Sequence, residues 1–178
     1  VRRLDATKRF DEDGRIAASG TPISAVIDEL LTHPYFAAEP PKSTGRELFD
    51  DAYVTRLIER CRAAKRDATD ADIVATATSL TARSVADAYR RFLPEPVEEV
   101  LVSGGGSKNP TLMGMLAREL GGLAVRTFDE RFFDAEAKEA VAFALLALLH
   151  LERRPGNVPT ATGARGARVL GALTPGSA

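Results

Sequence analysis

The residues with the clearest chemical potential lie in the run Val100-Leu-Val-Ser-Gly-Gly-Gly-Ser-Lys-Asn-Pro110. A β-branched stretch, three glycines and a helix start put bare backbone N–H groups beside a helix N-terminus. That arrangement suits a phosphate group or lets a nucleotide approach the main chain closely. It is not a P-loop, for want of a Gly-Lys-Ser/Thr ending, nor a dinucleotide fingerprint, because the glycines are contiguous. Gly104, Gly105 and Gly106, with Asn109 beside them, are therefore candidate nucleotide contacts. The competing reading is a tight strand-to-helix turn, for which one or two glycines would serve. A second group is Lys42, Ser43, Thr44 and Arg46 on a proline-stiffened loop. Its two hydroxyls and two cations suit a carboxylate or sugar hydroxyls, but a helix-capping loop with solvated charges explains them too. Glu139 opens an unusually apolar helix, where its carboxylate either faces a substrate or only complements the helix dipole. Asp129, Asp134 and Glu136 read as solvated, and Cys61, between Arg60 and Arg62 in a helical pattern, as structural.

The elements that must hold these residues follow from periodicity and capping. Thr21-Pro22 predicts a helix start with Thr as N-cap, followed by an i, i+3, i+4, i+7 stripe of Ile23, Val26, Ile27 and Leu30. His33-Pro34 stops that helix, with His33 a cap rather than a metal ligand. Residues 39–47 are too rich in Pro and Gly for an element, and Thr44 and Glu47 have capping-box spacing for the next helix, which carries Phe49, Tyr53 and Leu57 on one face to about residue 64. Thr69 or Asp70 caps a long helix to about Phe92, with small residues that permit close helix contact. The pattern then changes: a strand over 97–102, the glycine loop, a helix over 110–120 capped by Asn109, a strand over 123–127 and an apolar helix over 137–151. Strand, glycine loop, helix, strand, helix is the recurring unit of an α/β domain. The tail is rich in Pro, Gly and Thr, with a short strand expected at 168–170.

Composition bounds the rest. The chain has 178 residues, 44% hydrophobic and 28% charged, which suits one globular domain. Lys and Arg total 24 against 25 Asp and Glu, so the net charge of −1 supplies no field to attract nucleic acid or anionic lipid. One cysteine permits no intrachain disulfide and fits a reducing cytoplasm. The longest apolar run, residues 141–151, is too short to span a bilayer. The first residue is Val rather than Met, which raises the expectation of a piece of something longer.

Taken together, several segments resemble the anhydro-N-acetylmuramic acid kinase family. They are His33-Pro-Tyr-Phe36, Pro40-Pro-Lys-Ser-Thr-Gly-Arg-Glu-Leu-Phe49, Asp72-Ile-Val-Ala-Thr76 with Leu80-Thr-Ala82, Gly104-Gly-Gly-Ser-Lys-Asn-Pro-Thr-Leu-Met113, Lys138-Glu-Ala-Val-Ala-Phe-Ala144, and Thr162-Gly-Ala164 followed by Val169-Leu-Gly171. The resemblance implies the C-terminal lobe of a two-lobed, ribonuclease-H-like (actin-like) ATPase: α/β, helix-rich, with a mixed sheet. Residues 1–95 would form a mainly helical part and 96–178 an α/β part. It implies an ATP-dependent, Mg2+-assisted kinase of peptidoglycan recycling and amino-sugar catabolism in the cytoplasm. Such a kinase opens the anhydro ring of the sugar with water and phosphorylates the O6 this frees. Gly104 to Gly106 and Asn109 then resemble the nucleotide side of the cleft, and Lys42, Ser43, Thr44, Arg46 and Glu139 are candidates for the sugar side. Implied partners are the anhydromuramic sugar, ATP, the protein's own N-terminal lobe and a second copy in a homodimer.

The departures matter as much. The family's N-terminal phosphate loop and its Asp-x-Gly-Pro-Gly-Asn segment, source of the catalytic aspartate, have no counterpart here. The catalytic base is therefore expected upstream of Val1, and no catalytic residue or metal ligand is expected within this chain. Arg131-Phe-Phe133 replaces a glycine-containing loop, so Phe132 and Phe133 either reshape the cleft edge or pack. The alternative to a kinase piece is a non-catalytic remnant that binds a sugar, a nucleotide or only a partner. Losing the first strand of its sheet is expected to expose an edge and make the isolated chain poorly soluble.

Overall fold

A computed structural model describes residues 1–174 and 176. Among these, helices alternate with two short strands: α1 (Arg15–Ser19), α2 (Ser24–Leu31), α3 (Pro34–Ala37), α4 (Asp51–Ala64), α5 (Asp70–Phe92), β1 (Glu99–Val102), α6 (Pro110–Glu119), β2 (Ala124–Thr127), α7 (Lys138–Leu151) and α8 (Pro159–Thr162). The chain divides into two units, Val1–Glu39 with Ser43–Thr127, and Pro40–Lys42 with the residues from Phe128 onward. The architecture is α/β and helix-rich. No helix among the described residues is long and apolar enough to cross a membrane.

In the first unit α5 is the spine, touched by α1, α2, α4 and α6. It starts with a capping box: Thr69 Oγ1 accepts from the Asp72 N–H (3.1 Å), and the Asp72 carboxylate accepts from the Thr69 N–H (3.1 Å). The same carboxylate, 4% exposed, accepts from the Thr21 N–H (2.7 Å) and from Lys65 Nζ (2.7 Å) at the end of α4. One turn on, Thr76 Oγ1 donates to the Asp72 carbonyl (2.7 Å) and accepts from the Ile23 N–H (3.0 Å). These contacts correct the expected start of α2. Thr21 is not its N-cap, because α5 takes the N–H groups of residues 21 and 23 and holds that stretch extended until Ser24. Gly20 is required just before it: a Cβ there would collide with the Ala71 carbonyl and lie 2.6 Å from the Asp72 nitrogen.

The core grows from this docking. Val26 packs with Leu57, Cys61 and Ile73, while Ile27 packs with Tyr53 and Leu80. Val26 and Ile27 are 1% exposed, and such burial stabilises by about 1.5–3 kcal/mol per side chain. The predicted stripe on α2 thus faces inward. Cys61 is fully buried, and desolvation pushes its thiol pKa up, which fits the structural role expected of it. Ala82 packs with Met115 and Leu116, a small residue that lets α6 approach α5 closely.

Two other expected caps sit elsewhere. His33 starts α3 rather than closing α2, its Nδ1 accepting from the Tyr35 N–H (3.2 Å). Thr44 and Glu47 do not cap α4. Asp50 does, accepting from the Tyr53 N–H (2.7 Å), while Glu47 turns back to the Gly45 N–H (2.6 Å). Residues 45–49 are closed as a turn by bonds to the Gly45 carbonyl, which delays the helix. The sheet is also not mixed: β1 and β2 pair in parallel, from Glu99 with Ala124 to Val102 with Thr127. A glycine turn and α6 join them, and a crossover of that length returns the second strand in the same direction.

In the second unit the stretch before α7 is built on Phe128, against which Phe132 and Phe133 pack at 4.9 and 5.3 Å between ring centroids. Residues 168–170 do not form the expected strand, although the Arg168 carbonyl accepts from the Gly156 N–H (2.9 Å) and His150 Nδ1 donates to the Leu170 carbonyl (2.8 Å). Asn157 bridges to the Arg168 N–H (2.6 Å) and the Gly166 carbonyl (3.1 Å), so side chain and backbone share the pairing a strand would have needed. Helix α7 is apolar around its circumference, with Phe143 70% and Leu151 66% exposed.

The bonds from Lys65, Thr21 and Thr69, in that order, hold the Asp72 pKa far below its ordinary 3.8. A depressed carboxylate stabilises fully above its unfolded pKa and loses that contribution as pH falls through the folded one. Asp72→Asn should therefore lower the melting temperature at pH 6 by roughly 5–10 °C. That gap should narrow between pH 4 and pH 2, as calorimetry across the range will show. A second expectation concerns α7: the isolated 178-residue chain should self-associate with rising concentration in sedimentation experiments, and Phe143→Ser should weaken the effect.

Candidate functional site

β1 ends at Val102, and residues 103–109 carry the chain to α6 through a single 3-10 turn, Gly105–Lys108. The three glycines have different physical grounds. Gly104 has φ +85° and ψ −174°, a region that only glycine enters without strain. Gly105 has no positive φ, and a Cβ there would meet nothing within 4 Å. At Gly106 a Cβ would make ordinary contact with Leu112 Cδ2 at 3.4 Å. Folding thus explains the first glycine and leaves the second and third without an internal reason. The turn is closed behind them: the Ser107 N–H and Oγ both bond the Gly104 carbonyl (3.0 and 2.8 Å). The N–H groups of Gly105 and Gly106 have no acceptor among the described residues. Two bare donors on an open, unhindered backbone can take an anionic oxygen.

Asn109 has a definite structural task, since its Oδ1 accepts from the Leu112 N–H (2.9 Å) and caps α6 as the spacing predicts. What fixes it in place is invisible in local sequence. Gly14, at φ +68°, passes so close that a Cβ would collide with Asn109 Oδ1 and lie 2.7 Å from Thr111 Cβ. Thr111 Oγ1 donates to the Gly14 carbonyl (2.9 Å). The Gly14 turn is held in turn by Asp11, whose two carboxylate oxygens accept from the N–H groups of Ile16 (2.8 Å) and Ala17 (2.9 Å). Asp11, Gly14 and Thr111 are supporting residues that sequence reading missed. The turn-forming Asp-Gly pair at residues 13–14 was the available signal, but nothing local told what would pack on it. Beside Asn109 lies a largely apolar cavity of about 310 Å³, lined by Leu57, Ile58, Ile73 and Leu112 among others.

The second predicted group is divided between the two units. Lys42 belongs with the residues from Phe128 onward, and Ser43, Thr44 and Arg46 belong with the α5 unit. Within the latter, the side chains of Ser43, Thr44 and Arg46 make no hydrogen bond or ion pair among the described residues. Glu139 lies in the first turn of α7, exposed and likewise without a partner. Asp129 and Asp134 are exposed, as the reading of them as solvated requires, and also accept from the N–H groups of Ala135 (2.6 Å) and Glu136 (2.9 Å), which shapes the approach to α7. The glycine turn with Asn109 is thus one ordered feature. Lys42 and Glu139 share the other unit without being joined by any bond described here.

Comparison with known proteins agrees in kind. The sequence model of the family described as anhydro-N-acetylmuramic acid kinase matches residues 2–176. Proteins named anhydro-N-acetylmuramic acid kinase are similar to nearly the whole chain. The one from Acaryochloris marina is 45% identical over 164 residues, which covers 92% of this chain and 43% of that protein. The one from Rhodococcus erythropolis is 46% identical over 168 residues, 94% of this chain and 41% of the relative. The one from Streptomyces coelicolor is 44% identical over 167 residues, again 94% and 41%. The chain therefore spans about two-fifths of the length of these relatives. Matched from end to end at this level of identity, it belongs to the anhydro-N-acetylmuramic acid kinase family.

Proposed function

We propose that this chain is the C-terminal part of an ATP-dependent kinase acting on 1,6-anhydro-N-acetylmuramic acid, and that Gly104, Gly105 and Gly106 meet the nucleotide phosphates. The observation that carries this reading is the pair Gly105 and Gly106, whose lack of side chains serves no packing need while their N–H groups stand bare. Asn109 orients the turn as cap of α6, and the neighbouring apolar cavity offers a surface for the rest of the nucleotide. Lys42, Ser43, Thr44, Arg46 and Glu139 are each proposed as sugar contacts, Lys42 and Glu139 within one unit and Ser43, Thr44 and Arg46 within the α5 unit, cations and hydroxyls being suited to a polyhydroxy acid.

In the reaction so proposed, water adds to the anomeric carbon, the bond from that carbon to O6 breaks, and O6 takes the γ-phosphoryl group of ATP, releasing ADP. The base that deprotonates the water is assigned to a segment upstream of Val1, because the family's Asp-x-Gly-Pro-Gly-Asn segment has no counterpart in these 178 residues, and the other wall of the cleft is assigned there too. The chain's own contribution is to bind and orient the nucleotide, which is most of what phosphoryl transfer asks of a protein. Mg2+ is expected to ride on the ATP phosphates. The described residues contain no group of three His, Cys, Asp or Glu side chains that could hold it alone, so no step is assigned to it. The fold proposed for the complete protein is the two-lobed ribonuclease-H-like ATPase. Residues 1–95 and 96–178 would be the helical and α/β parts of one lobe, whose partner is the protein's other lobe in the cytoplasm.

Two measurements test this. Gly105→Ala should leave the thermal melt unchanged within about 0.5 kcal/mol and weaken ADP binding by about tenfold or more in calorimetric titration. Gly104→Ala, strained by its backbone, should itself cost about 1–3 kcal/mol. Unaltered ADP affinity in Gly105→Ala would remove the nucleotide assignment. In a coupled assay, the chain alone should form no ADP from ATP and the anhydro sugar, and the protein carrying the upstream segment should form it. Turnover by the chain alone would refute the outside base.

A further inference from the structure

The serine and threonine hydroxyls of α5 behave uniformly with one exception. Thr76, Thr78 and Thr81 each donate to the carbonyl four residues back, and Ser84 donates to the carbonyl three back. This is the usual resort of a hydroxyl on a helix. Ser79 does not: its residue is only 9% exposed, yet its Oγ makes no hydrogen bond among the described residues. That oxygen is open to the space beside it, the Tyr53 hydroxyl being the fully buried side-chain oxygen without a partner among the described residues, so what can fill that space matters.

Ser79 lines a cavity of about 490 Å³ between the start of α2, the middle of α5 and the last turn of α6, together with Ser24, Arg83, Arg118 and Glu119. The groups meeting there are mostly donors. No side chain caps the start of α2, and the Ser24 and Ala25 N–H groups have no acceptor among the described residues. The Ser24 hydroxyl and the Arg118 guanidinium also have no partner among those residues. Arg83 is held by Asp28 through one nitrogen (2.5 Å), which orients the rest of its fork. The acceptor among these lining groups is the Glu119 carboxylate, which makes no ion pair among the described residues.

We propose that this cavity binds a small phosphorylated polyhydroxy compound. Its phosphate would face Ser79, the start of α2 and the guanidinium of Arg118, and one of its hydroxyls would donate to Glu119. A carboxylate ligand has too few oxygens for this set of donors, whereas a phosphate group offers three and matches both the guanidinium fork and the helix N-terminus. Glu119 disfavours a bare anion and favours a ligand that carries a hydroxyl as well. The site is distinct from the glycine turn: Arg118 lies nine residues beyond Asn109, roughly 13 Å along the axis of α6.

The test is an NMR titration of the protein, at constant ionic strength, with glycerol 3-phosphate and with inorganic phosphate, following the amide signals of Ser24, Ala25 and Ser79. Glycerol 3-phosphate should shift all three saturably. Ser79→Ala and Arg118→Gln, neither of which removes a core contact, should each weaken it by about tenfold. Glu119→Gln should weaken glycerol 3-phosphate but strengthen inorganic phosphate, a reversal that general electrostatics does not produce. The proposal is overturned if the shifts do not saturate, if they are confined to Gly104 through Gly106, or if Ser79→Ala and Arg118→Gln bind as wild type does.

Discussion

The Asp72 carboxylate is the constraint on which the α5 unit depends. A buried anion is tolerable only when its lone pairs are met, and here they are met by three donors from three places in the chain. Thr69 is the cap of α5 itself, Lys65 ends α4, and Thr21 belongs to the extended stretch before α2. The charge is thus a joint: it cannot be satisfied unless α4, α5 and residues 21–23 are all docked. Thr76 and Gly20 serve the same joint, one by bonding Ile23, the other by leaving room for the backbone to approach. Once those pieces are fixed, Val26 and Ile27 have nowhere to point but toward Leu57, Ile73 and Leu80.

The candidate nucleotide turn inherits its position from this arrangement. Helix α6 lies on α5 through Ala82, and its capped end is pressed against the Gly14 turn, which Asp11 shapes. A site made of bare backbone has no side chains with which to adjust, so its precision must come from what lies behind it. That explains why the residues around Gly105 are open in front while the turn is closed behind by Ser107 and Asn109.

Much of this was legible without coordinates. The bounds of α5 and α6, a cap at Thr69 or Asp70, the Asn109 cap and the inward stripe on α2 came from local rules, because a cap and a helical period are made by residues within a few positions of one another; the structure chose Thr69. The glycine turn was legible for the same reason. Other features were not. Thr21 has every local mark of an N-cap, and Thr44 with Glu47 has capping-box spacing, yet tertiary bonds to α5 and a turn closed on Gly45 moved both helix starts. The family relationship was legible too, since it rests on motifs spread over the chain.

The sequence by itself determined the order of the elements, the family and the contiguous turn at Gly104 to Gly106, all set by near neighbours along the chain. Only the tertiary structure decided that Gly104 is demanded by its own backbone while Gly105 and Gly106 are not. It alone showed that Asn109 is pinned by a residue 95 positions away, and that the Lys42 to Arg46 run divides between two units. The reason is physical: a glycine's purpose depends on what a missing Cβ would have touched, and those atoms come from distant parts of the chain.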